Sequence, residues 1–302
     1  MRLSVKQIEY FLATVDAGQV SLAAIALNVS QSAVTTALQQ LEAQLGVSLF
    51  NRRPSGMDLT LEGARFVQRA RNVMAAVNEA VSSPLTEDTS HSGRIKVGVT
   101  YTVAGYFLPR HLARFLRSYP EITVNLIELP REAIETGIVD RTLDIAVMLV
   151  SNLQNRRDTA YETLVRSRRR LWLPVEHPLL NASALTLEAV AKEPYIMLTV
   201  DEAGKTAERY WKPTGLRPRT IIRTSSVEAV RGMVAAGMGV TILSDMVYRP
   251  WSLEGQRIEL RPVAADIPSM DIGLVWNTKR EISPATKLFR EFLSLNFSGA
   301  AH

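Results

Sequence analysis

The 302-residue sequence contains no cysteine. This absence excludes disulfide bonds, cysteine metal sites and redox sensing by thiols. The histidines are also few and scattered, and their positions lack the spacing of a metal site: His91, His111, His177 and His302. We therefore expect no metal and no cofactor, and any signal that the protein senses has to arrive through another chemistry.

Long apolar runs are absent as well. No run of about 18 or more apolar residues is present, which argues against a membrane-spanning helix. The N-terminal segment MRLSVKQIEYF lacks the apolar core of a secretory signal. With 46% hydrophobic and 22% charged residues, the composition is typical of a soluble globular protein. We expect a cytoplasmic protein with two or three domains.

The net charge of +5 is not concentrated near the N-terminus. Within the first 60 residues, Arg2, Lys6, Arg52 and Arg53 are balanced by four acidic residues. Net charge therefore contributes little to an argument for nucleic-acid binding. Only the local placement of Arg52 and Arg53 suggests contacts with phosphates.

The segment Ser21–Leu45 has the pattern of two short helices joined by a tight turn. Alanines in the first helix allow close packing, Asn28 tolerates the left-handed backbone that ends a helix, and Ser30 is a suitable N-cap for the second helix. The second helix has one apolar stripe at helical spacing: Val34, Leu38, Leu41 and Leu45. This pattern predicts a helix-turn-helix.

The opposite face of the second helix carries uncharged hydrogen-bonding side chains. Solvated helix faces usually mix Glu and Lys, whereas base edges are read by groups that both donate and accept hydrogen bonds. A surface helix that is merely rich in Gln and Thr is the alternative. We predict four contacts with bases in a DNA major groove: Gln31, Ser32, Thr35 and Thr36.

The segments VSLFNRR and MDLT, joined by the turn PSG, predict a small two-stranded wing. Arg52 and Arg53 lie beside its tip, where we expect them to meet backbone phosphates. Two solvated arginines beside a turn are the alternative.

Together these features resemble the winged helix-turn-helix of the LysR-type transcriptional regulators. The resemblance is carried by IEYFLATVDAG, LAAIALNVSQSAVTTALQQLEAQLGVSLFNRR and LTLEG. Two positions depart from the commonest form of the family. Thr35 stands where serine is usual, and Ser55 stands where a second basic wing residue often lies. We assign residues 1–60 to a DNA-binding domain.

A long helix is predicted from Thr60 to Ser82, followed by a polar hinge over 82–93. An apolar stripe along this helix has the spacing of a short coiled-coil seam: Val67, Ala70, Met74, Val77 and Val81. Packing within the same chain is the alternative, but the helix leaves the winged domain and we expect the seam to need a second subunit. In the resembling family this helix pairs two chains, which implies a homodimer and commonly a homotetramer. Residues 61–92 are therefore predicted to be a linker and dimerisation segment.

Beyond residue 93 the pattern changes to strands alternating with helices. Apolar runs at 95–99, 124–129 and 144–150 predict a βαβαβ unit. Four further runs predict a second α/β lobe: 169–174, 195–198, 220–224 and 240–243. The segments LDIAVM, EHPLL and VAAGMGVTIL resemble the effector domain of LysR-type regulators, which is similar to type 2 periplasmic solute-binding proteins.

The predicted fold class is accordingly an α+β multidomain protein: a winged helix-turn-helix, a linker helix and a two-lobed effector domain over residues 93–302. We expect lobe 1 to cover about 93–163 and 268–302, and lobe 2 to cover about 164–267.

A ligand of a two-lobed α/β protein belongs at the carboxyl ends of the strands, where helix N-termini offer free amides. Residues that follow predicted strands are therefore the candidate effector contacts, although each threonine is equally suited to be only a helix cap. They are Thr100, Tyr101, Thr102, Pro130, Met148, Thr199, Thr224 and Ser225. Their hydroxyl groups favour a small carboxylate as the ligand.

A cluster of arginines invites an interpretation as an anion site: Arg166, Arg168, Arg169 and Arg170. The cluster lies at the start of a predicted strand, so we interpret it as a solvated face or a subunit contact.

The resemblance implies a transcriptional regulator and not an enzyme. A solute-binding or enzymatic role of the α/β part is the other class, but it would need export or a catalytic constellation, and the sequence shows no signal peptide, no cysteine nucleophile and no metal cluster. The resemblance also implies binding to double-stranded DNA at an interrupted palindrome near a promoter, with RNA polymerase as a further partner. A small-molecule effector between the lobes is expected to change their angle and thereby DNA binding. The alternative is a DNA-binding regulator or architectural protein without a small-molecule ligand, whose cleft is filled by side chains.

Overall fold

The computed structural model describes residues 3–53, 56–82, 92–279 and 281–297. Contacts divide the chain into two compact units, Met1–Glu87 and Asp88–His302, and each is described by itself. The predicted hinge falls mostly on residues 83–91, which lie outside the described residues.

The first unit consists of helices and a two-stranded wing. Its elements are α1 (Val5–Ala17), α2 (Val20–Ala26), α3 (Gln31–Leu45), β1 (Phe50–Arg53), β2 (Gly56–Leu59) and α4 (Leu61–Ser82). The two strands are antiparallel, with Phe50 opposite Leu59. The predicted winged helix-turn-helix is confirmed.

Local sequence signals define the ends of these helices. The Ser4 hydroxyl accepts the Gln7 N–H at 3.2 Å and the Gln7 side chain accepts the Ser4 N–H at 3.0 Å, which is a capping box. Asn28 has a left-handed φ of 53° between α2 and α3. The Ser30 hydroxyl accepts the Ala33 N–H at 3.2 Å and caps α3. The tight turn between α2 and α3 is therefore determined by residues that are close together in the sequence.

One apolar core holds this unit together. The Phe11 ring contacts those of Phe50 and Phe66 at centroid distances of 5.3 and 5.1 Å, and the predicted stripe of α3 packs into the same cluster. Among the described helices, none alone is long and apolar enough to cross a membrane; α2 and α3, bent by 112°, satisfy that criterion only as a pair.

The first turns of α4 belong to the same core. Val67 is 7% exposed, Ala70 is fully buried, and Met74 packs against their cluster. The expectation that the seam needs a second subunit was therefore wrong for Val67 and Ala70, because the winged unit buries them itself, whereas Met74 is only half-buried. Val77 is half-buried, and the side chain of Val81 lies outside the described residues.

The second unit contains two α/β lobes. Its strands are β3 (Gly93–Val99), β4 (Ile122–Glu128), β5 (Ile145–Leu149), β6 (Thr159–Ser167), β7 (Arg169–Pro174), β8 (Pro194–Leu198), β9 (Arg219–Thr224), β10 (Thr241–Ser244), β11 (Ile258–Arg261) and β12 (Met270–Asn277). Its α-helices are α5 (Tyr101–Tyr106), α6 (Leu108–Ser118), α7 (Arg131–Val139), α8 (Leu187–Ala191), α9 (Ala203–Trp211), α10 (Val227–Ala235) and α11 (Pro284–Leu295).

The sheet of the first lobe has the strand order β4-β3-β5-β12-β6. The first three strands are parallel, as the βαβαβ pattern predicts. β12 comes back from the second lobe and pairs antiparallel with β5 and β6. β6 was missed in the sequence because its alternating burial leaves only a short apolar run.

The second lobe has two sets of strands. β7 lies between β10 and β11 in an antiparallel sheet, while β8 and β9 are parallel. A bridge between Tyr195 and Val240 connects the two sets. The observed sheets agree with the predicted fold class, and they place the carboxyl ends of β3, β4, β8 and β9 next to the helices that form the candidate cleft.

Candidate DNA interface and effector cleft

The exposed face of α3 carries most of the predicted base contacts. Gln31, Ser32 and Thr36 are exposed. Thr35 is half-buried, and its hydroxyl donates to the Gln31 carbonyl oxygen at 2.9 Å. The hydroxyl oxygen of Thr35 keeps its capacity to accept a hydrogen bond, so the four residues form one uncharged polar face.

The wing is fastened to α3 by a carboxylate that the sequence analysis did not single out. Oε1 of Glu42 accepts the N–H groups of Leu49 at 2.6 Å and of Phe50 at 3.2 Å. Arg52 and Arg53 lie in β1, and their side chains are outside the described residues, as are Pro54 and Ser55. Their contact with phosphates stays a prediction.

The two lobes of the second unit are joined where β3 and β8 end. The backbone N–H and the hydroxyl of Thr102 both donate to Oδ2 of Asp201, at 2.7 and 2.5 Å. The Asn152 side chain donates to the Asp201 carbonyl oxygen at 3.0 Å. The carboxylate of Asp201 thus occupies donors that sequence reasoning had assigned to a ligand.

A second contact between the lobes is a buried ion pair. Arg131 begins α7 and is 7% exposed; its Nε and Nη2 donate to the two oxygens of Glu202 at 2.9 and 3.2 Å, and its Nη1 donates to Glu135 at 3.1 Å. Burial opposes the charged form of Arg131, but the bonds to Glu202 and Glu135 outweigh it and raise the pKa of the guanidinium. Burial likewise favours a higher pKa for Glu202, and hydrogen bonds from Arg131 and Lys205 outweigh it and lower that pKa.

The turn that makes both contacts is strained. Asp201 and Glu202 have φ values of 49° and 61°, in the left-handed region that residues other than glycine avoid. Each such residue costs on the order of 1–3 kcal/mol. The bonds to Thr102 and Arg131 offset this cost, so the turn and the contacts between the lobes depend on each other.

Tyr106 makes a third contact between the lobes. Its hydroxyl donates to Glu228 at 2.5 Å, and burial together with the Glu228 carboxylate raises the pKa of Tyr106 to about 12. Glu228 also accepts from Arg231, which is 1% exposed and donates to the carbonyl oxygens of Val247 and Arg249 at 2.7 Å each. The Arg231 hydrogen bond is the main cause of the lowered pKa of Glu228.

The predicted effector contacts in the first lobe have different environments. Thr100 is 2% exposed and its hydroxyl has no hydrogen-bond partner among the described residues, whereas Tyr101 and Pro130 are exposed. Met148 is fully buried in the core cluster around Ile134, because β5 is covered on both faces. Met148 therefore presents no surface to a ligand in this structure.

In the second lobe, Thr199 and Ser225 are exposed. The Thr224 hydroxyl accepts the Ser226 N–H at 3.2 Å. Ser226 caps α10 by accepting the Ala229 N–H at 3.1 Å, so the cap lies one residue after the predicted pair. Thr199 follows β8 and Thr224 ends β9, and the Thr199 N–H donates to the Thr224 carbonyl oxygen at 2.9 Å.

The arginine cluster forms local contacts on the second unit. Arg170 pairs with Asp245 at 2.7 Å, and Arg169 donates to the Pro268 carbonyl oxygen. The side chain of Arg166 is 79% exposed. The exposure of Arg166 and Arg168 agrees with a solvated face, whereas Arg169 and Arg170 are half-buried and bonded within the chain. Among the described residues, no group of three or more His, Asp or Glu side chains is placed to hold a metal ion.

Comparison with known protein families covers both units. The family profile of the bacterial regulatory helix-turn-helix protein, lysR family, matches residues 5–64, and the profile of the LysR substrate binding domain matches residues 88–297. The chain belongs to the LysR family of transcriptional regulators. This LysR-type regulator therefore binds DNA and carries a substrate-binding effector domain, as its sequence predicts.

Relatives match this LysR-type regulator over nearly its full length. The HTH-type transcriptional regulator YnfL of Escherichia coli is 26% identical over 302 residues, which is 96% of this chain and 97% of YnfL. The transcriptional dual regulator GltC of Bacillus subtilis is 25% identical and covers 98% of both chains. The crystal structure of HinK, a LysR family regulator from Pseudomonas aeruginosa, is similar with a TM-score of 0.62 and 25% identity, covering 97% of this chain and 98% of HinK.

Proposed function

We propose that this regulator recognises an interrupted palindromic operator as a homodimer or homotetramer. In this proposal the α3 side chains Gln31, Ser32, Thr35 and Thr36 read base edges, and Arg52 and Arg53 of β1 contact phosphates. The exposed, uncharged, hydrogen-bonding face of α3 carries the proposal, because such side chains match the donors and acceptors of the major groove. LysR regulators bind DNA and form oligomers, which supports the assembly.

The protein acts by binding and not by catalysis in this proposal. It works in the cytoplasm, where it has access to promoter DNA, and RNA polymerase is the partner through which a bound regulator changes transcription. The linker segment over residues 61–92 joins a DNA-binding domain over 1–60 to an effector domain over 93–302. Because the first half of the α4 seam is buried within its own unit, the dimer contact falls on the rest of the linker and on the effector domains.

The small-molecule effector binds between the lobes, where Asp201 now contacts Thr102. Two observations support this position. The buried hydroxyl of Thr100 is unpaired among the described residues, and the donors of Thr102 hold a carboxylate that belongs to the chain itself. A small carboxylate, the proposed class of effector, competes with Asp201 for those donors and releases the contact between the lobes.

The same contacts favour one second candidate, a regulator without a small-molecule ligand. Asp201 and Glu202 already satisfy the donors of Thr102 and Arg131. If no ligand displaces them, the lobes stay joined and the effector domain serves only for assembly or for protein partners.

Base reading is tested with Thr35→Ala. An operator is first selected from random-sequence duplexes with the full-length protein, and affinities for this operator and for an unrelated duplex are then measured by fluorescence anisotropy. Loss of a base contact lowers affinity for the operator by about 1–3 kcal/mol and leaves the unrelated duplex almost unchanged. Thr123→Ala, at an exposed threonine of β4, is the control. Equal losses on both duplexes contradict a role in reading bases.

The effector proposal is tested by thermal unfolding of the full chain with a panel of small carboxylates. All tryptophans of the sequence lie in the second unit, at Trp172, Trp211, Trp251 and Trp276, so their fluorescence reports on that unit. A ligand that binds only the folded state raises the midpoint. Asp201→Asn weakens the internal competitor and is expected to enlarge the shift. No shift with either protein supports the ligand-free candidate.

A further inference from the structure

A concavity of about 410 Å³ lies between the first turns of α1 and one flank of α3. From α1 it is lined by Ser4, Lys6, Gln7 and Tyr10. From α3 and its cap it is lined by Ser30, Ser32, Ala33, Thr36, Ala37 and Gln40. Ser32 and Thr36 belong to the proposed base-reading face, whereas the α1 residues were not among the sequence-based candidates.

Tyr10 lines this concavity with a largely buried side chain. Its side chain is 4% exposed, and its hydroxyl has no hydrogen-bond partner among the described residues. Burying a hydroxyl without a partner costs about 1–3 kcal/mol. The Nζ of Lys6 lies 5.6 Å from the centre of the Tyr10 ring, and no carboxylate of the described residues forms an ion pair with it. The concavity therefore offers an exposed positive charge without a carboxylate partner among the described residues, whereas the Tyr10 hydroxyl exposes less than 1 Å² and is closed to a ligand.

The position of the concavity next to α3 indicates what fills it. Ser32, Thr36 and Gln40 are spaced by four residues and therefore lie along one flank of the helix. A helix with its side chains is about 10–12 Å across and the major groove is about 12 Å wide. When α3 lies in the groove, the sugar-phosphate backbone beside it must pass close to this flank and to the start of α1.

Gln40 is held in place by the cap of α1. The Gln7 amide nitrogen donates to Oε1 of Gln40 at 3.3 Å, while the Gln7 amide oxygen accepts the Ser4 N–H. Gln7 itself is 6% exposed, so it has little freedom to rotate. The NH₂ group of Gln40 is thereby directed away from Gln7 and is available to a strand of DNA.

We propose that this concavity is a phosphate-binding site of the DNA interface. Lys6, whose Nζ lies over the Tyr10 ring, pairs there with a backbone phosphate of the strand that flanks α3, and Gln40 donates to the same strand. This proposal rests on the proposed function, since α3 has to enter the groove for the backbone to reach α1. Contacts of this kind position the protein on DNA without reading sequence.

The first test compares Lys6→Gln with the wild type in the full-length protein. Binding to a duplex of about 30 base pairs and arbitrary sequence is measured by fluorescence anisotropy between about 50 and 200 mM NaCl. Loss of one phosphate contact makes the slope of log K against log salt less negative by about 0.9. Lys212→Gln, at an exposed lysine of the second unit, changes the net charge equally and is expected to keep the wild-type slope.

The outcomes separate this inference from the proposed function. If the wild type binds neither this duplex nor the selected operator, the proposed insertion of α3 into the groove is refuted. If the wild type binds and Lys6→Gln has an unchanged slope, DNA binding stands and the phosphate site at α1 is overturned.

Tyr10→Phe is a second test, in which Lys6 is unchanged. The variant keeps the buried ring and removes only the unpaired hydroxyl, so the free energy of unfolding is expected to stay the same or to rise. Because that hydroxyl exposes less than 1 Å², the affinity for the duplex and the salt slope are expected to stay at the wild-type values. A salt slope that changes in Tyr10→Phe as much as in Lys6→Gln overturns the assignment of the phosphate contact to Lys6.

Discussion

The ion pair between Arg131 and Glu202 is expected to couple the two lobes energetically. The side chain of Arg131 is 6% exposed and that of Glu202 is 20% exposed. In Arg131→Met, the buried Glu135 loses its cationic partner and Glu202 keeps only the exposed Lys205. Breaking a buried ion pair from one side costs about 3–5 kcal/mol. Glu202→Gln removes a charged acceptor and is expected to cost about 1.5–3 kcal/mol.

A double-mutant cycle measures the coupling itself. Because Arg131→Met already removes the bond that Glu202→Gln weakens, the double variant is expected to be less destabilised than the sum of the single variants by about 0.5–3 kcal/mol. Urea unfolding followed by tryptophan fluorescence of the second unit provides the free energies. Additive costs, or a cost below about 1 kcal/mol for Arg131→Met, refute the reasoning that this pair joins the lobes.

Three other perturbations test individual contacts. Burial, together with Arg110 and Arg114, lowers the pKa of His111 to about 3. The stability that the neutral imidazole contributes is therefore present above the unfolded pKa of about 6.5 and is lost as the pH falls. Urea unfolding is expected to show that the free energy of unfolding drops by about 2 kcal/mol between pH 8 and pH 5, and this drop is expected to be absent in His111→Phe. A Cβ at Gly63 would lie 2.0 Å from the Leu49 carbonyl oxygen, so Gly63→Ala is expected to destabilise the first unit by about 3 kcal/mol in circular dichroism melts. Gly105→Ala, where a Cβ meets open space, is expected to leave the melting curve unchanged. An unchanged melting curve of Gly63→Ala contradicts the close packing of α4 on the wing. Glu42→Ala removes the acceptor of two wing amides, so hydrogen exchange at the Leu49 and Phe50 amides is expected to become faster and the free energy of unfolding to fall by about 1.5–3 kcal/mol. Glu9→Ala, at an exposed carboxylate of α1, is the control. If these amides exchange no faster in Glu42→Ala than in Glu9→Ala, the contact between Glu42 and the wing is contradicted.

Much of the first unit was predictable because its signals are local. The capping box of Ser4 and Gln7, the left-handed Asn28 and the cap at Ser30 each depend on residues within a few positions of one another. The apolar stripe of α3 and the parallel strands β3, β4 and β5 also follow from short periodic patterns. Side-chain spacing therefore predicted the helix-turn-helix and the polar face of α3, and the resemblance of the sequence motifs indicated the family.

The cleft depended on tertiary structure, because its contacts join residues far apart in the chain. Thr102 and Asp201 are 99 positions apart, and Arg131 and Glu202 are 71 apart. No local pattern shows that a carboxylate of the chain occupies the donors expected to hold a ligand. Similarly, Met148 follows a strand in the sequence, but burial on both faces of β5 places it in the core.

The packing partners of α1 and α4 also depended on the tertiary structure. Sequence periodicity determined that each helix has an apolar face, but it did not specify which neighbour covers that face. Only the packed structure places the first turns of α4 on the winged core and brings Lys6, Gln7 and Tyr10 of α1 beside α3. Spacing along the chain determines which side chains share a face, and the packing of distant elements decides what that face contacts.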